Sequence, residues 1–300
     1  MLSERRNPPE LQWQSQLLSA SVLTLCGVAA VWWIIHNWSG ASEEALLISA
    51  AFAVAAWAAR AGTRRAALAG GLLAATMLLA SADGTHWLRS ALPALLTMIL
   101  LTYFAMRFGR RSKAELGAAE SRRGRNAAQV TANLGVAGLA GAGALTVRLA
   151  NPRLLAASPL AAMTGHDSPR WTALFAAMLA AALAEAAADT LSSEIGQVLG
   201  GSPSLITTRS RVAPGTDGGM SIPGTLAGAT GAIIVVLVAA PTLRLSLRAA
   251  AACAAGAIAG MFFDSLLGAT AERRGLLNND AVNFISTLAA ALFAALLLLL

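Results

Sequence analysis

The chain of 300 residues contains little of what soluble enzymes and disulfide-rich domains rely on. Only 12% of its residues are charged, against roughly 25% in an ordinary soluble domain, and it has one tyrosine, three histidines and two cysteines. Hydrophobic residues make up 56% of the chain, and its mean hydropathy is +0.63. This composition excludes a soluble enzyme and a disordered tail. The scarcity of aromatic residues also argues against an outer-membrane barrel. The composition therefore predicts an all-α, polytopic transmembrane helical bundle.

The two cysteines and the net charge of +7 exclude further classes of protein. Cys26 and Cys253 both lie in apolar runs without a CxxC partner, so neither a disulfide framework nor a thiolate metal site is supported. We expect both to pack between helices. Arginine supplies 21 of the 22 basic residues, and most of them lie between apolar segments. Lipid headgroups and membrane topology explain this pattern, so no nucleic acid partner is expected.

Apolar stretches of the length needed to cross a hydrocarbon core of roughly 30 Å recur along the chain. Nine can be placed, at about 16–37, 45–60, 65–82, 87–106, 127–148, 171–191, 223–241, 246–264 and 281–300. The first is interpreted as a retained span that follows a cytoplasmic N-terminal segment, residues 1–15. The stretch 153–163 is shorter and proline-containing, so we expect it to be an interfacial piece.

The basic residues predict the orientation of this bundle. With the N-terminus in the cytoplasm, 16 of the 22 basic residues fall in cytoplasmic segments, seven of them between Arg107 and Arg125. The bias predicts an integral protein of a bacterial-type inner or plasma membrane with a cytoplasmic N-terminus and an external C-terminus.

Five polar or glycine-rich clusters lie at the cytoplasmic side of the predicted topology. They are RNAAQVTAN at 125–133, ADTLSSEIG at 188–196, PGTDGGMSIPGT at 214–225, DSLLGAT at 264–270 and NNDAVNF at 278–284. Solvated loops would be scattered over both faces, so this arrangement predicts one active site at the cytoplasmic membrane face. The three histidines, His36, His86 and His166, fall at the other side, which excludes histidine catalysis.

Acidic residues in these clusters are the candidate metal ligands. Asp189 and Glu194 flank the predicted end of the sixth helix, and Asp264 ends the eighth. An ionised carboxylate near a membrane is costly unless it is paired or binds a cation. Two or three converging carboxylates without a neighbouring lysine suit Mg²⁺, whereas the alternative is that they cap helices or pair with arginines. Glu185 lies deeper on the face of Asp189.

The loop GTDGG at 215–219 has the composition of a phosphate-binding nest of backbone amides. A simple turn is the alternative, because no Walker A sequence follows. Arg211, just before the loop, is the candidate for neutralising phosphate charge. The basic stretch 107–117 fits either an anionic-lipid contact or substrate phosphate binding.

Amide side chains recur at helical spacing in two clusters, Asn126, Gln129 and Asn133 in one and Asn279 and Asn283 in the other. Such amides either join helices or bind a ligand, and their common membrane side favours the ligand. The small-residue stretches 138–143 and 256–260 are instead expected to be helix-packing surfaces.

The order of these motifs resembles an integral-membrane family that contains plant phytyl-phosphate kinase and the animal transmembrane protein 19, the domain-of-unknown-function-92 type. The resemblance covers about residues 95–290, and the combination of ADTLSSEIG, GTDGG and DSLLGA is its specific part. We therefore expect a catalytic core at 95–300 that follows poorly matched transmembrane helices at 16–94.

The resemblance implies a Mg²⁺-dependent kinase that uses CTP to phosphorylate an isoprenoid monophosphate, such as phytyl phosphate, to the diphosphate. Asp189, Glu194 and Asp264 would be catalytic and hold the metal. The candidate nucleotide- and phosphate-binding residues are Arg125, Asn126, Gln129, Asn133, Thr190, Ser193, Arg211, Gly215, Thr216, Gly218, Gly219, Ser265, Asn279, Asp280 and Asn283. A cytidylyltransferase-like enzyme acting on a lipid phosphate, and a secondary transporter of a phosphorylated small molecule, are the alternatives.

Overall fold

A computed structural model describes residues 9–82, 86–110, 113, 124–149 and 168–300 of the chain. Nine long helices are present in these residues, which confirms the predicted all-α fold. Their bounds are α1 Gln12–His36, α2 Gly40–Ala58, α3 Arg64–Ser81, α4 Leu92–Arg107, α5 Ala127–Leu149, α6 Ser168–Leu199, α7 Ile222–Thr242, α8 Leu247–Leu267 and α9 Asn279–Leu299. Several predicted features lie outside the described residues: residues 1–8 of the N-terminal segment 1–15, most of the basic region 107–125, the stretch 153–163 and His166.

Short irregular elements complete the fold at one end of the helices. A 3₁₀ turn at Pro9–Leu11 precedes α1, and a π-helical turn at Gly268–Glu272 extends α8. Between α6 and α7, strands β1 (Ser204–Leu205) and β2 (Gly219–Met220) form a small antiparallel hairpin, with Ser204 opposite Met220.

The helices alternate in direction, so that α1, α3, α5, α7 and α9 begin at the end where α2, α4, α6 and α8 finish. We call this the polar end. Contacts between neighbouring helix ends fix it: the backbone N–H of Thr63, before α3, donates to the carbonyl of Arg125, before α5, at 3.0 Å. The Asn278 side chain, before α9, donates to the carbonyl of Leu11, before α1, at 2.7 Å. All five polar clusters of the sequence lie at or near this end.

Helix α6 is the centre of the bundle, because α4, α5, α7, α8 and α9 all pack against it. Small residues make this close packing possible. Ala180, Ala184 and Ala187 of α6 are completely buried. In α8, a Cβ at Gly256 would lie 2.6 Å from the carbonyl oxygen of Ala290, so glycine lets α8 and α9 touch.

The expected packing roles are confirmed. The stretch 138–143 packs against α3 and α6, where a Cβ at Gly138 would lie 2.6 Å from Leu73 Cδ2. The stretch 256–260 forms the α8–α9 contact described above. Cys26 and Cys253 are buried free thiols, and the Cys253 thiol donates to the carbonyl of Ala177 at 3.2 Å.

Seven of the nine described helices are long and apolar enough to cross a membrane; α3 and α4 are shorter or less apolar. The sequence placed the end of the sixth span at 191, whereas α6 continues to Leu199. The prediction interpreted the polar residues after 191 as the end of the helix. The helix continues because no proline interrupts it before residue 200. A helix of 32 residues is about 48 Å long, which exceeds the roughly 30 Å hydrocarbon core.

Candidate active site at the polar end

Three carboxylates lie near one another between the central helix and α8. Glu185 and Asp189 lie one turn apart on the same face of α6, and Asp264 lies in the last turn of α8. Asp264 interacts electrostatically with both Asp189 and Glu185, and Glu185 interacts with Asp189. The structure thus places Asp189 of the ADTLSSEIG cluster near Asp264 of the DSLLGAT cluster, with Glu185 one turn before Asp189.

Hydroxyl groups of α9 contact two of these carboxylates. The Thr287 hydroxyl donates to Oε2 of Glu185 at 2.6 Å, and the Ser286 hydroxyl is 3.1 Å from Oδ2 of Asp264. Glu185 is only 1% exposed, and its second oxygen, Oε1, is buried without a hydrogen-bond partner. A buried, unpaired carboxylate oxygen is costly, so this position has an unmet demand for a cation or a donor.

Glu194 is not part of this group. Because α6 continues as a regular helix, five residues separate Glu194 from Asp189 and place it on another face. Its carboxylate pairs with Lys113 Nζ at 2.5 Å, and that Nζ also donates to the carbonyl of Ala105 at 3.0 Å. The prediction that the carboxylates have no neighbouring lysine is wrong for Glu194, and the pair joins the ends of α4 and α6.

Within the described part of the chain, no three Asp, Glu, His or Cys side chains are grouped closely enough to hold a metal ion by themselves. The predicted set of Asp189, Glu194 and Asp264 is therefore not assembled here as a three-residue cage. Asp189 and Asp264 remain the neighbouring pair. Mg²⁺ usually binds one or two protein carboxylates and completes its shell with water and phosphate oxygens, so this pair fits such an ion.

The glycine-rich loop folds back onto the end of α8. Gly215 and Gly218 adopt positive φ angles of 82° and 74°. A Cβ at Gly218 would lie 2.5 Å from the backbone nitrogen of Ala269, in the π-helical turn that follows Asp264. The loop thus packs against the turn that follows Asp264, and the Thr216 and Gly219 amides donate within the loop, to the Ala213 and Thr216 carbonyls. A phosphate-binding role for the loop stays a prediction.

The two candidate arginines are placed differently. Arg211 is exposed on the hairpin and donates to the carbonyl of Ser202 at 2.5 Å. Arg125 is half-buried before α5, and its side chain contacts the sulfur of Met106 at 3.7 Å. Arg211 therefore faces solvent near the hairpin, whereas Arg125 joins α5 to α4.

The amides of α5 form a helix cap. The backbone N–H of Asn126 donates to Gln129 Oε1, and the backbone N–H of Gln129 donates to Asn126 Oδ1, both at 2.9 Å. This reciprocal pair is a capping box. The Asn133 amide donates to the Gln129 carbonyl at 2.8 Å. These bonds give all three amides a role within their own helix, and nucleotide contact by them stays a prediction.

The start of α9 forms a joint with α1. Asp280 is buried and its Oδ2 accepts a hydrogen bond of 2.6 Å from the Ser15 hydroxyl. Asn278 caps α9 by accepting from the Ala281 amide at 2.9 Å. These contacts assign Asp280 to packing between helices. Asn279 lies in the same first turn, and the Asn283 carbonyl oxygen lies 2.6 Å from the Thr287 hydroxyl oxygen.

The remaining candidates are hydroxyl residues of α6 and α8. Thr190 is buried and donates to the Ala186 carbonyl at 2.9 Å. Ser193 is exposed and donates to the Thr190 carbonyl at 3.1 Å. Ser265 directly follows Asp264 on α8. Sequence reasoning omitted Ser286 and Thr287 from the site. They lie one helical turn beyond Asn283, and that spacing was the available signal.

A family model described as integral membrane protein DUF92 matches residues 47–291. The chain belongs to this family. The match begins in α2 and ends in α9, so it includes all residues of the candidate active site described above. No solved structure matches the chain.

Curated relatives match about a third of the chain each. An uncharacterized membrane protein of Methanocaldococcus jannaschii is 43% identical over 109 residues, which are 36% of this chain and 45% of that protein. The chloroplastic protein VTE6 of Arabidopsis thaliana is 37% identical over 101 residues, 33% of this chain and 30% of VTE6. An uncharacterized membrane protein of Synechocystis is 32% identical over 107 residues, 35% of this chain and 42% of that protein. The matched stretches thus span less than half the length of each relative.

Proposed function

We propose that this protein is a membrane-embedded phosphotransferase that phosphorylates an isoprenoid monophosphate to the diphosphate with CTP as donor. The observation that carries the proposal is the contact between Gly218 and Ala269, which packs the glycine-rich loop against the turn that follows Asp264 on α8. Similarity to VTE6 and to the family of plant phytyl-phosphate kinase supports this class of reaction.

The reaction requires little from the protein beyond positioning and charge neutralisation. An oxygen of the acceptor monophosphate attacks the γ-phosphorus of CTP, the bond from that phosphorus to the β–γ bridging oxygen breaks, and CDP leaves with the bond's electron pair. The acceptor oxygen is already anionic at neutral pH, so no histidine base is required. The loop and Arg211 would orient the phosphates, while the acceptor's hydrocarbon chain stays in the membrane.

Asp189 and Asp264 are the residues that would hold Mg²⁺. Both are carboxylates near the polar end, and the Oε1 atom of Glu185, which is buried without a hydrogen-bond partner, lies near them, so positive charge is favourable there. Bound Mg²⁺ would neutralise charge on the nucleotide phosphates. Ser286 and Thr287 would keep Asp264 and Glu185 in place through their hydrogen bonds.

The decisive experiment is a transfer assay with purified protein in detergent. The protein is incubated with Mg²⁺, γ-labelled or α-labelled CTP or ATP, and a series of isoprenyl monophosphates. We expect label from the γ-position in an isoprenyl diphosphate, with CDP released. Release of pyrophosphate with the α-label in the lipid would instead show cytidylyl transfer, and no labelled lipid with any donor would refute both enzymatic activities.

We further propose that the polar end faces the cytoplasm, as the basic residues predict. Both native cysteines are buried, so a single introduced cysteine reports on one position. Thr208→Cys probes the exposed hairpin, and Leu247→Cys, 88% exposed at the other end, is its control. In intact cells, a membrane-impermeant maleimide should label the Leu247→Cys variant and leave the Thr208→Cys variant unlabelled. The reverse result would invert the orientation.

A further inference from the structure

Arginines from three separate connections are brought together at the polar end. We call them the arginine surface, and they are Arg60, Arg64 and Arg65 between α2 and α3, Arg107 at the end of α4 and Arg125 before α5. We propose that this surface binds the headgroups of anionic phospholipids. The proposal does not depend on the transfer reaction proposed above, because it concerns a different set of residues.

Arg125 joins the three connections. Its backbone N–H donates to the carbonyl of Ala61, and its own carbonyl accepts from the N–H of Thr63, both at 3.0 Å. Its guanidinium group lies 3.7 Å from the sulfur of Met106, which directly precedes Arg107 on α4. The turn between α2 and α3 and the end of α4 therefore lie on two sides of Arg125, and their arginines share one region of the polar end.

The charge of this region favours an anionic partner. In the described parts of the three connections, residues 58–65, 103–110 and 124–126, there are arginines but no aspartate or glutamate. Glu194, which reaches the end of α4, is already paired with Lys113. Four of the five arginines are exposed, and Arg125 is half-buried. Positive charges held close together without acids between them attract anions.

Two aromatic rings indicate that the anion comes from the bilayer. The guanidinium carbon of Arg64 lies 5.2 Å from the centroid of the Trp57 ring, and that of Arg107 lies 4.5 Å from the Tyr103 ring. The rings are 48% and 41% exposed on the apolar helices α2 and α4. Trp and Tyr are enriched at the level of the lipid headgroups, where basic residues at helix ends attract anionic lipids. A phospholipid headgroup can therefore reach these guanidinium groups directly from the membrane.

Lipid binding by variants of equal charge tests the proposal. Native mass spectrometry of the purified protein in detergent measures the affinity for added phosphatidylglycerol and for added phosphatidylcholine. The test variant combines Arg60→Gln, Arg64→Gln and Arg107→Gln. The control variant removes the same charge from exposed arginines elsewhere at the polar end, by Arg209→Gln, Arg273→Gln and Arg274→Gln. The pair is matched further because Arg60 and Arg209 both have positive φ, 55° and 58°.

The native protein should prefer phosphatidylglycerol, and only the test variant should lose this preference. A basic residue near an anionic lipid surface contributes a factor of roughly five in affinity, so three substitutions should weaken binding on the order of 100-fold. The control variant should bind phosphatidylglycerol like the native protein. Equal weakening in both variants would show attraction by net charge alone and overturn the surface, as would a native protein without any preference between the two lipids.

Binding of CTP with Mg²⁺, measured in the same samples, separates a lipid headgroup from a nucleotide phosphate. We expect the test variant to keep its affinity for CTP. If it loses CTP binding and keeps phosphatidylglycerol binding, the proposal is wrong and the arginines bind nucleotide. A protein without transfer activity that still shows the lipid preference, lost only in the test variant, would refute the kinase and support the arginine surface.

Discussion

Gly260 of α8 lies directly against Glu185 of α6. A Cβ at position 260 would be 2.7 Å from Cγ of Glu185 and 3.0 Å from the carbonyl oxygen of Ser286. Glycine therefore gives the buried carboxylate the space it needs to reach the Thr287 hydroxyl on α9. The packing of three helices and the position of one acid in the site thus depend on the same residue.

Gly260→Ala should disturb the site and the bundle together. Adding a methyl group to a closely packed contact costs about 1–3 kcal/mol, so we expect a lower apparent Tm in detergent and reduced transferase activity. The control is Gly40→Ala at the start of α2, where a Cβ would meet nothing within 4 Å. Equal Tm values for the two variants would contradict the packing described here.

The metal assignment predicts large losses of rate without loss of fold. Asp189→Asn and Asp264→Asn retain side-chain shape but remove the charge that would hold Mg²⁺. Removal of one electrostatic stabiliser typically costs on the order of 10²–10³ in kcat, and Mg²⁺-dependent CTP binding should weaken. The control is Glu43→Gln, an exposed acid at the start of α2. Near-normal turnover of both Asp variants at low Mg²⁺ would show that the metal is held elsewhere.

A comparison of two glycine substitutions separates the effect of the loop contact from the effect of backbone strain. Gly218 and Gly275 both have positive φ, 74° and 68°, but only a Cβ at 218 would collide with Ala269. Alanine should therefore cost about 1 kcal/mol of strain at either position. Gly218→Ala should in addition raise the KM for CTP and lower kcat, measured by steady-state transfer. If Gly275→Ala has the same kinetic effect, the loop contact has no part in the reaction.

The Lys113–Glu194 pair predicts a stability effect for Glu194. Lys113→Met leaves a half-buried carboxylate without its partner, which should lower the free energy of unfolding by about 3 kcal/mol. The double variant with Glu194→Gln should recover part of this loss, and Glu194→Gln alone should keep most of its activity per folded molecule. If Glu194→Gln loses as much activity as Asp189→Asn at an unchanged Tm, Glu194 is a metal ligand as the sequence predicted.

Much of the site was predictable because its residues lie in polar clusters within otherwise apolar sequence. Asp189, Asp264 and the glycine-rich loop were identified in this way, and the structure places the two acids near each other and packs the loop against the turn after Asp264. Glu194 was misplaced because polarity was interpreted as the end of a helix that continues to Leu199. The amides of Asn126 and Gln129 have the same residue types and spacing as a ligand-binding face, yet they form a capping box.

The sequence by itself determined the membrane class, the all-α fold and the nine long helices of the described residues, because apolar stretches of sufficient length have no other stable arrangement in a bilayer. Only the tertiary structure decided which helices bring their acidic residues near one another. Helix periodicity places Glu185 rather than Glu194 on the face of Asp189, and the choice of that face depends on the glycine and alanine contacts through which α8 and α9 approach α6. Such contacts join residues about 75 to 100 positions apart, and no local pattern encodes them.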